Sequence, residues 1–426
     1  MAQGDEPEVA DGEAAGRPGD GPLAGVRVLD LTSVVMGPMA TQILGDLGAE
    51  VISVESGRGE TNRIMGPGSH PQLSGIALNL LRNKRNVAID LKAPEGRAAV
   101  LRIAATCDVV VTNLRPGPLR RLRLTYDDVR AVRPDVVYCR AQGFPSDSER
   151  AEDPAYDDIV QAAAGMADVV HRASGTPAQI PSLIADKVSA LTIVYAVTAA
   201  LFHRQRSGQG QEIEVPMIDA FSAFVLVEHG GGAVPRPPVG PAGYPRVLTP
   251  DRRPLRTSDG WAALFPYKPA QIEALLAAGG PAAADRPAAT DAPGATDAPA
   301  AIDGQAADAG TDGGTDYRGT PGLLYRHLDA VTPSRTTEAW LAFCREEGIP
   351  ASPVTTLEEL VEALPEAHHP EAGEHKVIPP PVRFSATPAG VRRHAPLAGQ
   401  HNREVLAEVG VSEAEIDALE ASGVLR

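Results

Sequence analysis

Residues 28–55 read VLDLTSVVMGPMATQILGDLGAEVISVE, and the fold follows from them. Residues 26–31 (VRVLDL) are β-branched and apolar, which predicts a strand. Residues 37–48 predict a helix, with Pro38 in its first turn and Gly48 at its end. Residues 51–55 (VISVE) predict the next strand. The alternation then continues. Strands are expected over 86–91, 108–113 (DVVVTN), 136–140 (VVYCR) and 212–215. Helices are expected over 94–106, from Pro118, over 187–206 and over 217–227. Strands alternating with helices specify an α/β fold, a Rossmann-like, doubly wound parallel sheet. Ligands of such sheets lie outside the carboxyl ends of the strands. No G-x-G-x-x-G follows the first strand, so NAD is not expected as a cofactor.

Composition narrows the function classes. The chain has 426 residues, enough for two domains, and 43% of them are hydrophobic. A net charge of -16 argues against a nucleic-acid partner. Cys107, Cys139 and Cys344 form no CxxC pair, which suits a reducing, cytoplasmic setting and argues against a zinc ribbon. Residues 1–21 are acidic without an apolar centre, so they read as a disordered tail rather than a targeting signal. No run of eighteen apolar residues occurs, so no membrane span is expected. Residues 279–316 repeat Ala, Asp, Thr, Pro and Gly and cannot offset their ordering entropy. They read as a disordered insertion.

Residues 154–186, PAYDDIVQAAAGMADVVHRASGTPAQIPSLIAD, end on a carboxylate at the start of an apolar helix. Free backbone N–H groups and the helix dipole there favour an ionised Asp186, by roughly 0.3–1 kcal/mol for the dipole. The plain reading is an N-cap. A nucleophile is the other. The order of residues favours the second through a resemblance. Tyr156, Asp157, Gln161, Ala162 and Gly165 match a YD-x-x-x-QA-x-x-G segment, and Asp186 follows Tyr156 by thirty residues (186 − 156 = 30). This pattern, with the opening at 28–55, GIPASPV at 348–354 and the ending PLAGQHNREVLAEVGVSEAEIDALEASGV, resembles the family III CoA-transferases, the CaiB/BaiF group.

The resemblance implies an acyl-CoA donor, a carboxylic acid acceptor, coenzyme A as substrate and no metal. It implies that Asp186 is the covalent nucleophile, with Tyr156 and Gln161 lining its pocket. It places Val35 and Met36 in a CoA-contacting loop and Arg58, Lys84, Arg85 and Arg121 among the cations that hold the CoA phosphates. It also implies an interlocked homodimer. The domains then read as 22–228 (large, CoA-binding), 229–250 (linker), 251–365 (a smaller α+β domain carrying the insertion) and 366–426 (a return to the large domain). Related acyl-CoA racemases carry His where this chain has Tyr156; a phenol titrating near 10 is a poor proton shuttle at neutral pH, which favours transfer over racemisation. Racemase-type isomerisation and CoA binding without catalysis remain the alternatives. HGGGA at 229–233 reads as a linker or as a source of N–H donors. His368, His369, Glu371, Glu374 and His375 suggest a metal site, but Pro370 and Gly373 break the helix that such a site would need.

Overall fold

The computed structural model describes residues 20–57, 59–250, 252–279 and 327–426. The tail expected at 1–21, apart from its last two residues, lies outside the described residues. So do the insertion at 279–316, apart from Gly279, and Arg58.

Six strands form one sheet: β1 (Arg27–Leu31), β2 (Glu50–Glu55), β3 (Lys84–Ala88), β4 (Val109–Thr112), β5 (Val137–Gln142) and β6 (Gln211–Pro216). They run in the order β3-β2-β1-β4-β5-β6, and every pairing is parallel. That is the doubly wound order, and the direction of winding reverses between β1 and β4. The sequence dictates it locally. VVVT of β4 is buried throughout, as a strand covered on both faces must be. The helices α1 (Met36–Asp46), α2 (Gly75–Leu80), α3 (Pro94–Ala104), α4 (Pro116–Leu122), α5 (Tyr126–Arg130), α6 (Asp157–Ala163), α7 (Met166–Ser174), α8 (Ile184–Ser207) and α9 (Met217–His229) follow in chain order.

One core cluster joins Leu29, Ile52, Val87, Ile103, Val110 and Tyr138 to Val405, Leu406 and Ile416 from the last two helices, Asn402–Glu408 and Glu413–Ala421. Each such side chain, fully buried, stabilises the fold by about 1.5–3 kcal/mol. Asn402 sews the return: its Oδ1 accepts from Ala88 N at 2.9 Å, and its Nδ2 donates to Arg426 O at 2.7 Å.

The helix α8 is long and apolar enough, by length and composition, to cross a membrane, which the run-length reading did not anticipate. Here it is a packing helix. Ala185, Ser189, Ala190, Ile193, Val197 and Ala200 form its buried face, and it packs on α1, β5 and β6. Leu191, Tyr195 and Phe202 lie exposed on another face.

The chain divides into two compact units. Of the described residues, one holds those up to Ala164, Ser182–Phe224 and Ala363–Arg426; the other holds Gly165–Pro181 and those between Val225 and Glu362. The sequence reading had put 165–181 with the large domain. The second unit carries an antiparallel sheet of β7 (Leu255–Arg256), β8 (Trp261–Leu264) and β9 (Ala351–Pro353) beside α10 (Pro269–Ala278) and the helix Thr337–Glu346. Its core is built on Trp340, whose Nε1 donates to Thr332 O at 2.7 Å, so the buried indole keeps no unpaired donor.

Candidate active site

The winding reversal between β1 and β4 leaves a crevice at the carboxyl ends of these strands. Two side chains brace the loop on one side of it. Asn113, just past β4, accepts from Ser33 N at 3.0 Å and donates back to Ser33 O at 2.8 Å. The loop after β1 is thereby locked to the loop after β4. Asp30, buried at the end of β1, braces the same loop by accepting from Thr32 N at 3.0 Å. Val34 then adopts φ 69°, in the left-handed region. A β-branched residue there is strained, and the surroundings must hold it. They do: Val34 N donates to Glu60 Oε1 at 2.8 Å, and Asn62 Nδ2 donates to Val34 O at 3.3 Å. Burial pushes the Glu60 carboxyl above its ordinary range, against the lowering effect of the N–H groups of Val34 and Thr61.

The second wall comes from α6 and α8. The N-cap of α8 is Leu183, which offers no side-chain cap, so the free N–H groups of the first turn need another acceptor. Asp157, 3% exposed at the start of α6, supplies it. Its Oδ1 accepts from Asp186 N at 3.0 Å, and its Oδ2 accepts from Gln161 Nε2 at 2.6 Å. Gln161 Nε2 also donates to Ser182 O at 3.1 Å, tying α6 to the turn before α8. Asp157 is thus the cap, supplied from 29 residues away, and the Asp186 carboxylate is not. Among the described residues no hydrogen bond to the Asp186 carboxylate oxygens is found. The carboxyl faces the crevice instead.

That crevice has a volume of about 300 Å3, the lower end of the range for small-molecule sites. Asp186 shares its lining with Val35 and Met36 of the first loop, Asn113 and Arg115 after β4, Tyr156 before α6, and Met217 after β6. Burial, then the neighbouring Asp157 charge, push the Asp186 carboxyl up to about 7; Lys187 opposes them. This corrects the expectation that the helix start keeps Asp186 fully ionised. A dipole contribution of about 0.3–1 kcal/mol is under one pKa unit, and desolvation outweighs it.

The structure sorts the other expected residues. Val35, Met36 and Tyr156 line the crevice, Tyr156 at its rim with 67% exposure. Gln161 does not; it is fully buried behind Asp157. Lys84 and Arg85 are corrected outright. The sequence reading put them in a loop before a strand starting at Asn86, but β3 begins at Lys84. Both belong to the amino end of a parallel strand, the wrong end for a ligand. Lys84 is fully buried, with Nζ donating to Asp30 Oδ2 at 2.9 Å, Thr41 Oγ1 at 2.8 Å and Pro38 O at 2.9 Å. Arg85 is buried in ion pairs with Glu50, Glu404 and Glu408. Arg121 is exposed on α4 and is not among the residues lining the crevice. Arg115, from the same arginine-rich stretch NLRPGPLRRLRL at 113–124, is; its Nη1 donates to Glu152 O at 2.7 Å. The sequence reading gave Asn113 no part, named Arg115 only within the cluster of Arg115, Arg120, Arg121 and Arg123, and named Asp157 only as part of the motif. The N-L-R-P run after a strand was the available signal for the first two.

HGGGA is a backbone crossing. Gly232 N donates to Pro241 O at 3.1 Å, and a Cβ on Gly232 would meet Gly240 at 2.6 Å. The histidine-rich stretch is not helical, as Pro370 and Gly373 require, and forms a hairpin of Glu366–His369 with Gly373–Lys376. His369 there bonds Ala395 O through Nε2 at 2.8 Å and accepts from Glu371 N through Nδ1 at 3.0 Å, so both ring nitrogens are occupied. Among the described residues no group of three or more His, Cys, Asp or Glu is placed to hold a metal ion.

A carboxyl with no hydrogen-bond partner among the described residues, pushed up to about 7 in a crevice, can act as a nucleophile or a proton carrier. Comparison with known proteins narrows the choice. Residues 23–402 match the sequence model of CoA-transferase family III. A succinate–glutarate CoA-transferase of Agrobacterium fabrum is 31% identical over 92% of this chain and 96% of its own. A mouse succinyl-CoA:glutarate CoA-transferase is 28% identical over 95% of this chain and 90% of its own. The crystal structure of a CAIB/BAIF family protein from Brucella suis superposes with a TM-score of 0.74 at 26% identity, covering 92% of this chain and all of that one.

Proposed function

Because the chain belongs to CoA-transferase family III, we propose that it moves CoA from an acyl-CoA thioester to a free carboxylic acid through a covalent intermediate on Asp186. The observation carrying this is the division of labour at α8: Asp157 caps the helix, which leaves the Asp186 carboxylate facing the crevice. An Asp186 oxygen attacks the thioester carbonyl carbon, the C–S bond breaks, and the electron pair leaves with the CoA thiolate. The thiolate attacks the aspartyl carbonyl and expels the donor's acyl group as a carboxylate, leaving an aspartyl-CoA thioester. The acceptor carboxylate reverses the sequence. The thioester's free energy is kept throughout. The raised pKa suits this role, since a more basic carboxylate is a better nucleophile and remains partly ionised at neutral pH.

In this reading the pantetheine arm lies against Val35 and Met36, and Arg115 and Arg121 meet phosphate charge. Short dicarboxylic acids are the first acceptors to try, because both relatives are named for succinate and glutarate. The exposed stripe of Leu191, Tyr195 and Phe202 on α8 supports a second copy of the chain as partner. The raised Asp186 would also suit an isomerase that moves an α-proton, and exchange of that hydrogen with solvent deuterium tests this second reading. The test of the first is to incubate the protein with acyl-CoA donors, quench with hydroxylamine and search peptides by mass spectrometry. A hydroxamate at Asp186, lost in Asp186→Ala with all transfer activity, is the expected result. Full activity in Asp186→Ala overturns the proposal.

A further inference from the structure

Two buried carboxyl groups, Asp157 and Asp186, meet at the first turn of α8 and face different ways. One is committed to N–H donors, and the other has no such partner among the described residues. Resting on the covalent reading of Asp186, we propose that Asp157 is a positioning residue whose charge drives the nucleophile toward its acylated state. The argument is one of charge movement. In the resting protein the Asp157 carboxylate is bonded to the backbone N of Asp186, both residues are buried, and like charges so placed disfavour each other. On acylation the negative charge leaves Asp186, first with the thiolate and then with the released acid, while the aspartyl group becomes neutral. The repulsion is present in the ground state and absent in the intermediate, so its relief favours aspartyl-CoA. Asp157 is held in place by its two oxygens, which accept from Asp186 N and Gln161 Nε2.

Other charges near the nucleophile do not take this part. Lys187 opposes Asp157, from the same helix and with its Nζ donating to Ser182 Oγ at 3.0 Å. Arg115, Asp153 and Tyr156 line the crevice. Asp30 and Lys84, beneath α1, are paired with each other.

The test uses Asp157→Asn, which keeps an oxygen to accept from Asp186 N and removes the charge. Wild type and variant are compared in the pH profile of kcat/KM and in the fraction of Asp186 trapped by hydroxylamine at steady state. The acid limb, near 7 in wild type, moves down by about one pH unit in the variant, as loss of a like charge requires. The trapped fraction falls about tenfold, the same interaction read at the covalent step. An unmoved limb with an unchanged trapped fraction overturns the proposal and reduces Asp157 to a helix cap. Asp157→Ser, also a neutral acceptor, repeats the comparison should the Asn variant fail to fold. Absence of trapping in wild type instead defeats the covalent reading itself, so the two failures are distinguishable.

Discussion

Asp186 should lower the stability of the protein that depends on it. Its carboxyl titrates near 7 in the folded chain against an ordinary 3.8, so the folded state holds the proton more tightly than the unfolded state. The sign follows from linkage. Below about pH 4 both states are protonated and the group is neutral in effect; as pH rises towards 7 the folded state loses ground, and above 7 the full penalty applies. About three pKa units at 1.36 kcal/mol each come to about 4 kcal/mol. Asp186→Asn removes the charge and keeps the shape. It leaves an amide with no protein partner in view, which costs about 1–2 kcal/mol. The net expectation is a variant about 2 kcal/mol more stable than wild type near pH 8 and no more stable near pH 4. In a chain of this length that is a rise of about 2–4 °C in Tm. Calorimetry of both proteins across that pH range reads it directly. A difference in melting between the two proteins that is the same at both pH values would refute the reasoning, because it would mean that Asp186 ionises in the fold as it does in water.

Further outcomes follow from the same geometry. The kcat/KM of wild type should fall on the acid side with a midpoint near 7, measured with any accepted acyl-CoA. Arg115→Ala should raise KM for acyl-CoA about tenfold, a lost charged hydrogen bond, with little change in Tm. Lys84→Ala should do the reverse: Asp30 is left charged and buried, at a cost of about 3–5 kcal/mol by denaturant titration, while KM for CoA in the folded protein stays near wild type. Val34→Gly relieves a left-handed β-branched residue and should raise stability by about 1 kcal/mol, yet increase KM as the loop loosens.

The strands were legible wherever burial on both faces made them continuously apolar, as at VVVT of β4. The same rule hid the start of β3. Lys84 and Arg85 read as loop cations because a charged pair inside a buried strand requires partners that the local sequence does not display. Those partners, Asp30 and Glu404, lie 54 and 319 residues away. Asp186 was visible at its helix start, and so was its motif. Its titration was not, because desolvation belongs to the packed crevice and the opposing charge comes from α6. Asp157 stood within the quoted motif, but its role as a cap depends on α6 meeting α8, a tertiary contact that spacing alone does not declare. Tyr156, expected in the pocket of Asp186, and Met36, expected against CoA, line the same crevice as the carboxyl; Gln161, expected beside Tyr156, holds Asp157 instead and is not part of that lining.

The covalent route leaves an atomic trace. When an acceptor acid labelled in its carboxylate with heavy oxygen attacks aspartyl-CoA, its oxygen becomes the bridge of the anhydride and remains on Asp186 once CoA departs with the acyl group. Peptide mass spectrometry after turnover should find heavy oxygen on Asp186, and only when donor and labelled acid are both present. Turnover that leaves the Asp186 peptide unlabelled would contradict the account.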